Sequence, residues 1–258
     1  MTHGWRTRRA ALARLAGAAL VALGMTPAAA DADYAAERAR MVAEVEAMVA
    51  ETRAETGLAA LSPAVRAALG KVERHCLVPA SQAALAYRNH PLPIGSGQTI
   101  SQPYIVALSS DLIDPQPNHV VLDVGTGSGY QAAILGEIVK QVVSIEIVEA
   151  LATTARRQLG ALGYRNIEVH VGDGYLGWPE RAPFDAIVVA AAAPHIPRAL
   201  VDQLRPGGKM VIPVGANDAI QYLVLVTKRA DGGIDERRVL PVRFVPLVPG
   251  PDRPASQR

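Results

Sequence analysis

The fold is decided by the stretch Val120-Val121-Leu122-Asp123-Val124-Gly125-Thr126-Gly127-Ser128-Gly129-Tyr130. Its apolar first half predicts a buried parallel strand, and a helix is predicted to begin at Tyr130. The glycines between them let a backbone pass close to a ligand, because no Cβ is in the way. The next apolar run ends at Glu146, where an acid meets ribose hydroxyls in nucleotide-binding βαβ units. The pattern therefore predicts an adenosine-containing cofactor, held by Gly125, Gly127, Gly129 and Glu146.

Strands and helices alternate along the rest of the chain, which predicts an α/β fold with a doubly wound, mainly parallel sheet. Ligands of such sheets bind at the carboxyl ends of the strands. We therefore expect the glycine stretch, Glu146 and Gly172-Asp173-Gly174 to gather at one edge. The predicted strands are 120–124, 141–145, 167–171, 186–189 and 209–214, with a closing pair at 221–227 and 238–244, and the predicted helices are 130–139, 150–162 and 198–204.

The part of the chain before the sheet has two characters. Helices are predicted over 34–56 and from Ser62 to about Arg74, where Ser62-Pro63 supplies an N-cap and a first-turn proline. The prolines and glycines of 90–103 predict a long loop without regular structure, and loops of that length are often functional. We expect a leader (1–30), one domain (31–250) made of N-terminal helices (31–90), an active-site loop (91–104) and the cofactor-binding sheet (118–250), and a tail (251–258).

Composition and charge narrow the function. Half of the 258 residues are hydrophobic, which suits one moderately large domain. The net charge of +2 hides four arginines and no acid in residues 1–30, so the remainder carries −2. Without surplus basic surface, nucleic acid is not an expected partner. A single cysteine, Cys76, excludes an internal disulfide and a cysteine-based zinc cluster, and no metal is expected.

The N-terminus resembles a targeting segment. A basic start precedes an apolar stretch, and small residues spaced for cleavage after Ala30 or Ala32 follow it. The apolar stretch is shorter than the roughly 20 residues that a bilayer span needs, so no stable membrane association of the domain is expected. Thr7-Arg8-Arg9 gives an incomplete twin-arginine pattern. The alternative is an over-long start, with the domain beginning at Met41.

The kind of cofactor follows from the loop's details. The glycines are spaced Gly-x-Gly-x-Gly, whereas the pyrophosphate-binding turn prefers two residues before its last glycine. Asp123 lies inside the end of the strand, two residues before the first glycine, where a carboxylate would repel a pyrophosphate but attract a sulfonium and an amino group. S-adenosylmethionine carries both. Asp173 and Gly174, after the third strand, are predicted to meet its adenine amino group.

Three separated segments carry a resemblance to a known family. They are the glycine stretch, Ile94-Gly95-Ser96-Gly97-Gln98-Thr99-Ile100-Ser101-Gln102-Pro103-Tyr104, and Val242-Arg243-Phe244-Val245-Pro246-Leu247. Together they closely resemble protein-L-isoaspartate O-methyltransferase, over roughly residues 41–250. Arg74-His75 with Leu77-Val78-Pro79 is similar to another stretch of that family. Glu73 departs from its usual proline, and Ala190 from a frequent threonine.

The resemblance implies a site and an activity. Ser101 would be the active-site residue, and Ile100, Gln102, Val245, Pro246 and Leu247 would help to hold the peptide. The activity would transfer a methyl group from S-adenosylmethionine to the carboxylate of isoaspartyl residues in damaged proteins, which starts their repair through a succinimide. Ser101 lacks the Gly-x-Ser-x-Gly elbow of a hydrolase nucleophile. His195 has no role that the family requires, and we expect it on the surface.

Two other functions stay open from sequence. A NAD-dependent oxidoreductase would also show glycines followed by an acid, and an exported binding protein could keep the fold without turnover. The indications of cellular location disagree as well. The leader favours export to the periplasm, whereas the supply of the cofactor and the family resemblance favour the cytoplasm. We expect the cytoplasm, isoaspartyl proteins and peptides as partners, and a monomer.

Overall fold

The computed structural model of the chain describes residues 27–216 and 219–250. Most of the expected leader and the tail 251–258 lie outside these residues. None of the helices in this described part is long and apolar enough to cross a membrane.

A seven-stranded sheet forms the centre of the molecule. Its strands are β3 (Val120–Val124), β4 (Gln141–Glu146), β5 (Ile167–Val171), β6 (Phe184–Val189), β7 (Leu204–Val214), β8 (Gln221–Lys228) and β9 (Ile234–Val242). Their order is β5-β4-β3-β6-β7-β8-β9. The first five pair in parallel, and β8 and β9 are antiparallel. The doubly wound, mainly parallel sheet is therefore confirmed, and its switch point lies beside β3, where ligands of such sheets bind.

Helices connect the strands as the alternation predicts. They are α5 (Tyr130–Gly136), α6 (Glu149–Ala161) and α7 (Arg198–Gln203). Side chains alternate across each strand, so Val121 packs into a core on one face, and Leu122 and Val124 pack into a second core on the other. The last strand begins and ends earlier than the predicted 238–244, because the turn of Asp231-Gly232-Gly233 leads directly into β9 at Ile234.

The N-terminal helices cover the first of these cores. They are α1 (Pro27–Glu51), α2 (Arg53–Thr56) and α3 (Pro63–Lys71), the last capped by the Ser62 hydroxyl, which accepts a hydrogen bond from Val65 N at 3.3 Å. The predicted helix 34–56 is thus divided at Thr52, and Gly57, at φ 77°, ends α2. Two short 3-10 segments, Arg74–Leu77 and Ala80–Leu85, follow α3.

The prediction that 90–103 lacks regular structure is wrong. Leu92–Gly95 (β1) and Gln98–Ile100 (β2) pair as an antiparallel hairpin, and α4 (Pro103–Leu112) starts three residues after it. The glycines that argued against structure form its turn, since Gly95 and Gly97 have φ values of 96° and 71°. The expected active-site loop therefore consists of a hairpin and the first residues of a helix.

Candidate active site

The glycine loop joins β3 to α5 at the carboxyl edge of the sheet. Gly125, Gly127 and Gly129 have φ values of 91°, 52° and 84°, which side chains other than hydrogen rarely allow. The backbone N–H groups of Gly125 and Thr126 donate to Ile145 O at 2.8 and 3.1 Å, so the loop is fixed against the end of β4. Its concave side is left open to a ligand.

Glu146 ends β4 and fixes the loop from the other side. Its Oε2 accepts a hydrogen bond from Gly127 N at 2.8 Å, and its Oε1 accepts one from Val148 N at 2.9 Å. Each carboxylate oxygen has a second lone pair, which leaves acceptor capacity for a ligand hydroxyl. The predicted place of this acid, at the end of the second strand, agrees with the structure.

An inner cavity lies between the glycine loop, the hairpin and the C-terminal segment, which is the stretch 243–250 after β9. Glu146 is the single charged side chain among the described residues that line it. The absence of lysine and arginine from this wall suits a cationic donor better than a pyrophosphate. Apolar side chains supply a surface for a flat base. The lining includes Gln98, Thr99, Ile100, Ser101, Val124, Gly125, Gly127, Tyr130, Glu146, Gly174, Ala190, Val245, Pro246 and Leu247.

Gly174 fits this cavity because it has no side chain. A Cβ there would lie 2.7 Å from Val124 Cγ1 and 2.9 Å from Leu247 Cδ1, closer than real Cβ atoms come. The neighbouring Asp173 does not line the cavity. Its Oδ1 accepts from Tyr175 N at 2.9 Å and its Oδ2 from Gly250 N at 2.7 Å, so it ties the C-terminal segment to the loop after β5. Its predicted contact with adenine stays a prediction.

Asp123 lies beneath the loop rather than in the cavity. It pairs in register with Ser144 on β4, and the Ser144 hydroxyl donates to its Oδ2 at 2.6 Å. Its Oδ1 is buried without a partner among the described residues. Burial is the main cause that raises the pKa of Asp123 to about 7; the Glu146 charge raises it further, and the Ser144 bond opposes the shift. Direct contact with a sulfonium therefore has no support from its position.

An outer cavity of about 690 Å³ adjoins the inner one and shares a wall with it. Thr99, Ser101, Ala190 and Val245 line both. Ser101 is half-buried, and its hydroxyl has no hydrogen-bond partner within the described ranges. The predicted active-site residue thus stands where a donor in one cavity and an acceptor in the other would meet.

The predicted peptide-binding residues divide between the two cavities. Gln102 lines the outer cavity, Val245 lines both, and Ile100, Pro246 and Leu247 line the inner one. The C-terminal segment is fixed to the stretch that follows β6, because Ala192 N donates to Val245 O and Leu247 N donates to Ala192 O, both at 2.8 Å. Gly129, at the start of α5, lines neither cavity, and His195 is exposed as expected and also lines neither.

Sequence reasoning missed the N-terminal wall of the outer cavity. This wall consists of four residues: Met48 in α1, Thr52 directly after α1, Glu55 in α2 and Tyr104 in α4. The hydroxyls of Thr52 and Tyr104 are 2.6 Å apart, which joins the two helices beside the cavity. No local signal marks these residues, because they meet only through the packing of α1 on α4.

The fold and site together define an S-adenosylmethionine-dependent methyltransferase class: a parallel sheet with a glycine loop after its first strand and an acid after its second. A sequence model of the family described as protein-L-isoaspartate(D-aspartate) O-methyltransferase matches residues 43–251. The chain belongs to this family.

Individual proteins agree with the family assignment. The chain is 58% identical over 208 residues to protein-L-isoaspartate O-methyltransferase 2 of Polaromonas sp., covering 81% of this chain and 99% of that protein. It is 55% identical over 230 residues to the protein of the same name from Syntrophobacter fumaroxidans, covering 89% and 93%.

Solved structures give the same result. A protein-L-isoaspartate O-methyltransferase superposes with a TM-score of 0.70 at 25% identity, over 81% of this chain and 65% of that one. A structure described as the Plasmodium falciparum enzyme in complex with S-adenosyl-L-homocysteine gives 0.63 at 27% identity, over 72% and 91%.

Proposed function

We propose that this chain methylates the carboxylate of isoaspartyl residues in damaged proteins, with S-adenosylmethionine as the donor. When bound, the donor supplies an electrophilic methyl group on a positively charged sulfur. The observation that carries the proposal is the pair of adjoining cavities that share Ser101, the inner one with Glu146 as its single charged wall residue within the described chain.

The residues of the inner cavity would bind and orient the donor. Glu146 offers its remaining carboxylate lone pairs to hydroxyl groups, and Gly125 and Gly127 let the backbone approach closely. Gly174 leaves room that a side chain would fill. Absence of a metal is part of the proposal, since nothing in this arrangement asks for a Lewis acid.

The acceptor needs little chemical activation. A free carboxylate with a pKa near 3.9 is ionised at neutral pH, so a general base is not required. The chain's task is then to align the acceptor oxygen and to exclude water, and such positioning can contribute on the order of 7–11 kcal/mol. The unpartnered Ser101 hydroxyl is suited to hydrogen-bond the acceptor carboxylate or its neighbouring backbone. Away from the enzyme, the next backbone nitrogen attacks the ester carbonyl and expels methanol, which closes a succinimide, and addition of water to this ring returns some normal aspartate.

The test is a paired-peptide assay. The chain is incubated with methyl-labelled S-adenosylmethionine and either an isoaspartyl peptide or the identical peptide with a normal aspartyl linkage. We expect label in the first peptide alone. Label in both would assign a broader carboxyl methyltransferase activity, and label in neither would refute the proposal. A fluorescence change of NADH on binding would instead support the oxidoreductase alternative.

We further propose that the protein acts in the cytoplasm as a monomer, without nucleic-acid or stable membrane partners. The methyl donor is made in the cytosol, and the balance of −2 outside the leader gives no basic surface for a polyanion. N-terminal sequencing of the native protein tests the location. A mature chain beginning at Asp31 or Asp33 would mean that the leader is cleaved and the protein exported.

A further inference from the structure

Arg74 is a fully buried cation without an acidic partner. It begins the 3-10 segment after α3 and is 0% exposed. Among the described residues, no aspartate or glutamate pairs with it, and its Nη1 has no hydrogen-bond partner. Burial is the main cause that lowers the pKa of Arg74 to about 10, so the side chain stays charged at neutral pH. Burying a charge in this way is costly, and the contacts that Arg74 does make must compensate for it.

These contacts join two parts of the active site. Arg74 Nε donates to Ala86 O at 2.8 Å, and Nη2 donates to His90 O at 3.5 Å. Both carbonyls belong to the segment that leads directly into β1, and so to the hairpin whose second strand ends beside Ser101. On its other side, the guanidinium lies 4.5 Å from the centroid of the Tyr130 ring.

Tyr130 belongs to the donor side of the site. It opens α5 directly after the glycine loop, is 1% exposed, and lines the inner cavity. Its hydroxyl is buried without a partner in the described part of the chain, so the face of its ring against Arg74 is a principal polar contact of this side chain. The Arg74 guanidinium therefore contacts both the first residue of α5, directly after the glycine loop, and the segment that precedes the hairpin.

We propose that Arg74 is a positioning residue. It holds the hairpin, and Ser101 directly after it, in place against the inner cavity, where the donor would bind. The planar guanidinium suits this role, because it can stack on a ring and direct its N–H groups to carbonyls in the same plane. The inference rests on the proposed function for its kinetic consequence. It predicts misalignment of bound donor and acceptor when Arg74 is replaced, and not a loss of either binding surface, since Arg74 itself lines neither cavity.

The kinetic test compares Arg74→Met and Arg74→Lys with Arg156→Met. Arg156 is the control, because its Nη2 also donates to a backbone carbonyl, Val169 O at 2.8 Å, on the edge strand β5, and Arg156 lines neither cavity. We expect kcat of Arg74→Met to fall about tenfold or more, with both KM values within about threefold of the parent, since small misplacement reduces turnover steeply. Arg74→Lys keeps the charge without the planar fork and should recover part of kcat.

A second measurement, backbone amide exchange, does not need turnover. If Arg74→Met fails to fold, it is made on Arg74→Lys alone. We expect S-adenosylhomocysteine to slow backbone amide exchange at residues 86–90 in the parent and in Arg156→Met, and not in the Arg74 variant. A kcat loss below about fivefold, a loss confined to KM, or unchanged slowing at 86–90 would overturn the proposal. Absence of methyl transfer by the parent, with the exchange result as expected, would instead refute the proposed function and leave this coupling in place.

Discussion

At the scale of single residues, the site depends on which way a side chain points at the end of a strand. The sequence places both acids near the carboxyl end of an apolar run, Asp123 one residue before the end of β3 and Glu146 as the last residue of β4. Asp123 nevertheless pairs with Ser144 under the loop, and Glu146 faces the cavity. Glu146 was predictable because it is the last residue of its strand. The burial of Asp123 was not predictable, because it depends on the tertiary packing that places Ser144 beside it and the glycine loop above it.

The buried Asp123 carboxyl makes stability depend on pH. Its folded pKa, about 7, is above that of an unfolded aspartate, so its contribution is present at low pH and is lost as the pH rises through 7. Relative to Asp123→Asn, which does not titrate, the parent should lose about 2 kcal/mol of unfolding free energy between pH 5.5 and 8.5. Urea unfolding of both proteins at the two pH values measures this. A constant difference would show that Asp123 is ionised when folded.

Ser101 should matter for turnover more than for binding. In Ser101→Ala we expect kcat to fall about 10- to 100-fold, because the acceptor loses an orienting hydrogen bond, with the affinity for S-adenosylhomocysteine unchanged. Kinetics and calorimetry measure the two effects. Ser96→Ala is the control, since Ser96 is in the turn of the same hairpin and lines neither cavity. Equal activity of Ser101→Ala and the parent would remove Ser101 from the mechanism.

At the scale of elements, the strands of the central sheet were predictable, whereas the hairpin of β1 and β2 and the helix α4 were not. β3 matches its predicted bounds, because a short apolar run between turn residues identifies a buried parallel strand. β5 also matches, because its apolar and polar residues alternate as in a half-buried strand. Helix α4 was missed because it is buried almost all round, which removes the 3.6-residue alternation of apolar and polar residues. Pro103 at its first turn was the available signal. The hairpin was missed because its glycines and prolines also fit an irregular loop.

The loop after β5 should tolerate no side chain at Gly174. A methyl group there would meet Val124 and Leu247, so Gly174→Ala should displace the C-terminal segment and cost about 1–3 kcal/mol of stability. Its affinity for S-adenosylhomocysteine should fall about tenfold, equivalent to about 1.4 kcal/mol. Gly160→Ala is the control: it lies in α6 with nothing within 4 Å, and should gain about 0.5–1 kcal/mol. Thermal unfolding measures the stabilities and calorimetry measures the affinities. An unchanged affinity of Gly174→Ala for S-adenosylhomocysteine would contradict this account.

At the scale of the whole molecule, the outer cavity, where the acceptor would bind, combines residues from near both ends of the described chain with residues from its middle. Arg237 on β9 donates from Nη2 to Thr56 O at 3.1 Å and from Nη1 to Glu55 O at 3.4 Å, which joins α2 to the last strand. Contacts between residues so far apart in the chain have no local sequence signal. The inner cavity, in contrast, is lined mostly by residues of consecutive βα units, and its main residues could be predicted from the sequence.

Arg237 should therefore affect the acceptor cavity selectively. Arg237→Met should lower the melting temperature by about 2–4 °C, because two partly exposed hydrogen bonds are lost. The KM for an isoaspartyl peptide should rise about threefold while the affinity for S-adenosylhomocysteine stays constant. Arg229→Met is the control, since Arg229 pairs with Asp231 and Asp235 at the exposed end of the same strand pair. Equal peptide KM values for the two variants would contradict the selective role.

The shared wall between the cavities has a consequence for ligand design. Because Thr99, Ser101, Ala190 and Val245 border both spaces, a nucleoside in one cavity and a peptide in the other would lie against opposite sides of the same few residues. A bisubstrate inhibitor, with an adenosine moiety tethered through a short linker to an aspartyl-like peptide, could fill both at once and gain from the high effective concentration of its second half. Enlarging Ala190 to leucine would add bulk at this shared border and should weaken such a compound more than either of its untethered halves.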